Sequence, residues 1–162
     1  MAISQADLRN AAHRSSTAVV KRAGQNTAFL CHSHLDRELA KGLQTTLREH
    51  GLDLYIDWQD ASMPATPGVE TAGKLRQRII ASDFFLFLAT ANSMSSRWCP
   101  WELGYADGKK PNEKIAIVPT SDGYTTHGSE YLGLYRHIDK GSNGVYGIFA
   151  PGAARGSPVS SI

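Results

Sequence analysis

The sequence predicts a three-layer α/β fold, a central parallel sheet in the flavodoxin-like order 2-1-3-4-5 with helices on both faces. Three observations carry this. Short apolar runs of strand length alternate with segments of helical periodicity along the body of the chain. The run Phe84-Phe85-Leu86-Phe87-Leu88 has no polar alternation, which marks a central parallel strand buried on both faces. A chain of 162 residues is long enough for one such unit with a real core.

The elements follow in order. Residues 1–25 form an N-terminal helical extension: Ser4 and Asp7 have capping-box spacing, and Gly24 suits a helix end. Arg9, Arg14, Lys21 and Arg22, opposed only by Asp7, also give this segment a faint likeness to an organelle transit peptide, but the capping pattern favours a local helix. Residues 26–150 form the main domain. Thr27 to Cys31 is the first strand, and Ser33 followed by Asp36 marks a helix start. Leu35, Leu39, Leu43 and Leu47 recur every fourth residue as a stripe facing the core, until Gly51 ends the helix.

Leu52 to Asp57 gives the second strand. Trp58 to Gly68 holds two prolines and a glycine without periodicity, a long loop of the kind that often carries function. Val69, Leu75 and Ile79 mark the next helix, and Phe84 to Leu88 is the third strand, bounded by Asp83 and Thr90. A helix containing Trp98 follows, then Lys114 to Pro119 as the fourth strand and Tyr131 to Ile138 as the last. Beyond Gly141 the chain is rich in Gly, Ser and Pro, and 151–162 is expected to be a flexible tail.

Composition excludes several classes. A hydrophobic share of 41% with 20% charged residues is that of a globular protein, and a net charge of +2 is too small to imply a nucleic-acid partner. No apolar run approaches the roughly 20 residues of a membrane span. Two cysteines make no disulfide framework and no leader is visible, so the expected location is cytoplasmic. His32 and His34 beside Cys31 lack zinc-ligand spacing, and no metal is expected. Phosphate loops of the G-x-G-x-x-G and Walker types are missing from the sequence.

In this strand order the crevice opens between the first and third strands. Its rim is expected to comprise Cys31, His32, Ser33 and His34, the loop Thr90 to Ser93, and the start of the Trp98 helix, with Trp58 to Gly68 as a lid. Trp98 and Glu102 stand one helical turn apart on one face. An aromatic plane beside a lone carboxylate suits a flat ring and a sugar hydroxyl. Glu102 is therefore the catalytic candidate, with Trp98, Cys31, His32, Ser33, Asp57, Trp58, Asp60, Asn92 and Ser93 as substrate-binding candidates. Ser33 is expected to cap the first helix, whose amides suit a diphosphate. Cys31 and Cys99 are expected to be buried apolar thiols rather than nucleophiles, and of Trp98 and Trp101 one is expected to be core packing.

Three segments resemble the Toll/interleukin-1 receptor (TIR) domain family over roughly Thr27 to Thr120. They are Ala28-Phe29-Leu30-Cys31-His32-Ser33-His34-Leu35-Asp36, then Tyr55-Ile56-Asp57-Trp58 with Pro67-Gly68, and Ile80-Ala81-Ser82 through Ser93-x-x-Ser96-x-Trp98-Cys99-x-x-Glu102-Leu103. The chain has Trp58-Gln59-Asp60-Ala61-Ser62-Met63-Pro64 where animal receptors carry an Arg-Asp loop tip, and it lacks their Phe-Trp box, so the likeness is closer to bacterial and plant-like members. In the members that are enzymes, the glutamate matching Glu102 is catalytic, the tryptophan matching Trp98 belongs to the same site, and the nicotinamide-ribose bond of NAD+ is broken. The resemblance thus implies an NAD+ glycohydrolase or ADP-ribosyl cyclase of bacterial anti-phage defence, with NAD+ as substrate and no cofactor. It also implies self-association through TIR faces and a separate effector protein. A non-enzymatic TIR-TIR interaction module and a nucleoside deoxyribosyltransferase-like enzyme are the alternatives.

Overall fold

A computed structural model describes residues 2–14, 26–131 and 133–162. The sheet runs β3 (Asp53–Tyr55), β2 (Thr27–Cys31), β4 (Phe84–Ala89), β5 (Ile115–Ser121), β7 (Arg136–Lys140), β8 (Tyr146–Phe149), β9 (Ser157–Pro158). Its first five members are parallel and stand in the expected order. The sheet is wider than expected, because β8 and β9 extend it antiparallel, while β1 (Ile3–Ser4) and β6 (Thr126–His127) pair with the far end of β5.

Alternation along β4 builds the three layers. Phe84, Leu86 and Leu88 face a core shared with α1 (Gln5–Ala12) and α2 (Arg37–Glu49), where Leu8, Leu43 and Leu47 are buried. Phe85, Phe87 and Ala89 face α3 (Val69–Ala81) and α5 (Trp98–Lys109) through Ile79, Leu103 and Ala106. All six residues of β4 are buried, which is why the run carries no polar alternation.

Several boundaries differ from the sequence reading. Leu35 lies in a 3-10 turn, His34–Asp36, and is 69% exposed, so the core stripe of α2 starts at Leu39. The tighter turn takes Leu35 off the helical phase that its spacing suggested. The second strand is only Asp53–Tyr55, because Asp57–Gln59 turns into a 3-10 helix. The last parallel strand, Arg136–Lys140, begins inside the Tyr131–Ile138 segment expected to hold it and runs two residues past its end.

At the N-terminus, Ser4 Oγ accepts from the Asp7 amide at 3.4 Å, and α1 ends after Ala12; Lys21, Arg22 and Gly24 lie outside the described residues. Ile3, Leu8 and Ala11 are buried, so this segment packs as part of the sheet and of the α2 layer. The C-terminal residues expected to form a flexible tail also join the fold. Ser157 and Pro158 pair with β8, and Val159 is buried against the core, which anchors a segment whose Gly/Pro/Ser composition disguises it.

Helix α2 can approach α1 only because residue 42 is glycine. A Cβ there would stand 1.9 Å from the Leu8 carbonyl oxygen. Gly42→Ala is expected to push α1 off α2 and to cost about 1–3 kcal/mol, the usual range for overpacking, measured by urea denaturation. An unchanged midpoint would show that α1 contributes nothing to stability.

Candidate active site

At the carboxyl ends of β2 and β4, a 3-10 turn, a short helix and the start of α5 meet. The turn is capped by Ser33, whose Oγ accepts from the Leu35 amide at 3.3 Å. Across the boundary, Thr90 caps α4 (Ala91–Ser95) through a capping box: Thr90 Oγ1 takes the Ser93 amide at 3.0 Å, and Ser93 Oγ takes the Thr90 amide at 2.9 Å. Asp36 locks the two rims together, accepting from Thr90 Oγ1 at 2.5 Å and from Asn92 Nδ2 at 2.7 Å. Ser96 Oγ receives the amides of Trp98 and Cys99 at 3.1 and 3.3 Å, and Pro100 falls within the first turn, where its missing N–H costs little. These contacts set where α5 begins.

The buried stripe of α5 is Cys99, Glu102, Leu103 and Ala106. A glutamate on that apolar stripe is 6% exposed, and no positive group neutralises it among its described neighbours. Burial pushes its carboxyl well above the usual glutamate range, Cys99 and Asp57 add in the same direction, and a hydrogen bond from Cys31 opposes them. Cys31 is itself fully buried at the end of β2, with Sγ 3.7 Å from the Cys99 carbonyl oxygen, and burial pushes its thiol up. Full burial at the end of a strand suits a packing thiol.

Glu102 and Trp98 line a cavity of about 380 Å³ together with His32, Ser33, Asp57 and Leu75. A second cavity of about 310 Å³ adjoins it, walled by Trp58, Asp60, Met63 and Pro64. His32, His34, Arg37 and Asp57 belong to both, so the two are lobes of one crevice roofed by the loop that carries Ala65 and Pro67. Each lobe is of ligand size. Trp101 turns away from Glu102: it meets Trp98 edge-on at 5.4 Å and carries the Arg76 guanidinium over its ring at 5.2 Å.

The structure thus gathers Glu102, Trp98, His32, Ser33, Asp57 and Trp58 around one crevice, with Asp60 at its outer edge. Asp60 is committed elsewhere, accepting from Tyr55 Oη at 2.7 Å and pairing with Arg78 at 2.9 Å. The bonds from Ser62, with those from Tyr55 and Arg78, hold its carboxyl well below the usual range, and the Arg78 pair ties the roof loop to α3. Cys31, Asn92 and Ser93 line neither lobe. Asn92 is spent on Asp36, Ser93 on the cap of α4, and Cys31 lies beneath Glu102.

Arg37 was missed, although a clue was present: a cation in the first turn of a helix opposes the macrodipole and asks for another reason to be there. Its guanidinium stands 5.5 Å over the Trp58 ring, at the waist between the lobes. Among the described residues no group of three or more His, Cys, Asp or Glu side chains could hold a metal, and no helix is long and apolar enough to cross a membrane.

Residues 28–141 match the TIR domain family model. The chain is also similar to a Bacillus cereus (strain MSX-D12) protein named probable 3' cyclic ADP-D-ribose synthase ThsB', with 40% identity over 121 residues. That match covers 70% of this chain and 61% of the relative, so the chain spans less than two thirds of that protein's length.

Because Glu102 titrates above its unfolded value, the stability it supports is complete below the ordinary carboxylate range and is lost as pH rises through the raised pKa. Glu102→Gln stays neutral, so its melting temperature should exceed that of the wild type by an amount that grows as pH rises from the ordinary carboxylate range to the raised pKa. A gap that stays flat over this interval in thermal melts would show that burial does not strain this carboxylate.

Proposed function

The chain belongs to the TIR domain family, and from that premise we propose that it cleaves the nicotinamide-ribose bond of NAD+ at Glu102. The observation that carries this is one buried carboxylate beside an indole in a ligand-sized crevice. Nicotinamide leaves NAD+ with its ring charge neutralised, so its departure needs no general acid, and a second carboxylic acid like that of an ordinary glycosidase is unnecessary. What the reaction needs is an anion beside the ribose carbon as positive charge develops there. A cationic nicotinamide ring against Trp98 draws the Glu102 proton off, because a neighbouring positive charge favours the carboxylate. Burial then makes that carboxylate effective, since water does not screen it.

The rest of the crevice suits the rest of the molecule. Arg37 at the waist receives the diphosphate. Trp58 in the outer lobe offers a face to adenine. The name of the Bacillus relative supports a cyclic ADP-ribose as product, made in the cytoplasm as a signal in anti-phage defence and read by a separate effector. Self-association through TIR faces is part of this reading, with the roof loop of one copy completing the crevice of another. A TIR-TIR interaction module without catalysis is the competing account, and it leaves the burial of Glu102 without a purpose.

The deciding measurement is nicotinamide release from NAD+ by concentrated protein, alone and fused to an oligomeriser, with products identified by mass. Glu102→Ala should lose about 100-fold or more of the wild-type rate, and Trp98→Ala should weaken release less severely. Release that survives Glu102→Ala would take the catalytic role from Glu102, and its absence from the wild type under both conditions would leave the interaction module standing. In the same assay Arg37→Ala should raise KM for NAD+ about tenfold, the scale of one lost charge-assisted hydrogen bond, with a smaller loss on nicotinamide riboside, which has no diphosphate. Equal losses on both substrates would remove Arg37 from the diphosphate site.

A further inference from the structure

His32 follows β2 and lines both lobes of the crevice, with a side chain only 2% exposed. Its Nδ1 lies 3.1 Å from the Leu30 carbonyl oxygen. A carbonyl only accepts, so the ring hydrogen sits on Nδ1 and Nε2 presents a lone pair. That lone pair is buried and has no hydrogen-bond partner among the described residues. The nearest carboxylate, Asp57 Oδ1 at 3.8 Å, has no proton to give when ionised. A buried acceptor left open is costly, and an opening onto a ligand-sized crevice is where a substrate donor fills it.

Resting on the NAD+-cleaving reading above, we propose that His32 Nε2 is the base that removes the proton from the hydroxyl attacking the ribose carbon once nicotinamide has left. Bond cleavage leaves the electron pair on the nicotinamide nitrogen, which departs neutral. The attacking oxygen, from the second ribose or from water, then forms the new C–O bond, and its proton passes to Nε2. The imidazolium so formed faces Asp57, whose carboxylate opposes the new charge and is 42% exposed, open to water for onward transfer. One proton is released per turnover, as the charge balance of NAD+ going to nicotinamide and a neutralised ribose requires.

Two further facts agree. Burial holds the imidazole below its ordinary pKa, outweighing the opposing influence of Asp57, so the ring is neutral and able to accept near pH 7. Glu102 and His32 border the same inner lobe, which separates the two tasks: the carboxylate serves departure of the base, and the imidazole serves arrival of the hydroxyl.

A pyridine nitrogen attacks without a proton to lose, and that difference supplies the test. With the full chain, exchange of isotopically labelled nicotinamide into NAD+ reports cleavage and return without a base. Formation of ADP-ribose products, cyclic plus linear, reports attack by a hydroxyl. His32→Asn keeps an amide donor for the Leu30 carbonyl and removes the base. Product formation should fall about 100-fold or more, while exchange falls by no more than a few-fold. If thermal melting shows that His32→Asn does not fold, His32→Gln carries the same expected split. Product formation and exchange falling together, or neither falling, overturns the role of His32. A wild type that neither releases nor exchanges nicotinamide overturns the underlying reading instead, and does so before any variant is compared.

Discussion

A buried carboxylate, Asp36, holds the two sides of the crevice together. It is 5% exposed and spends its oxygens on Thr90 Oγ1 and Asn92 Nδ2, groups from the opposite side of the boundary between β2 and β4. A carboxylate in that position is tolerable only with such donors. By closing this contact the protein sets the 3-10 turn after β2 against the cap of α4. The position of His32, the Ser33 cap and the direction of Arg37 all follow. Parallel strands alone would leave these loops free to splay, since connections at the carboxyl edge of a sheet are its least constrained part.

Glu102 is the complementary case, a carboxylate buried without a donor network to match. Its neighbours are two thiols and an indole rather than cations, and its nearest charged influence is another carboxylate, Asp57. The fold tolerates this because α5 is fastened elsewhere. Ser96 fixes its first turn, and Leu103 and Ala106 seat its lower half on Phe85, Phe87 and Ile117. Stability supplied by the aromatic layer offsets the cost of burying this carboxylate at the mouth.

Much of the fold was legible along the chain. Phe84 to Leu88 declared itself as a central strand because burial on both faces removes alternation, and the spacing of Leu39, Leu43 and Leu47 declared α2. The edges were not legible. Ile3 and Ser4 form a strand only because Thr120 and Ser121 lie alongside them, and Ser157 and Pro158 only because of Gly147 and Ile148. Two-residue strands have no period to read, so partners distant in sequence decide them. Leu35 misled for a related reason: it shares the spacing of the stripe, but the turn that Ser33 caps is 3-10 in phase.

By itself the sequence determined the order of the five parallel strands, the place of the crevice among them, and the pairing of Trp98 with Glu102. The order and the crevice follow from the alternation of strand and helix through crossover rules, and the pairing follows from a four-residue helical interval. Only the tertiary structure decided which rim residues face the crevice. Asn92 and Ser93 looked as available as His32, but hydrogen bonds to Asp36 and to the Thr90 cap withdraw the first two, while the Leu30 carbonyl turns the imidazole so that Nε2 stays open. Arg37 became part of the site because Asp57 and Trp58 fold back over the start of α2. The availability of a polar side chain is settled by its competitors in space, and one of them, Asp36 against Asn92, lies tens of residues away along the chain.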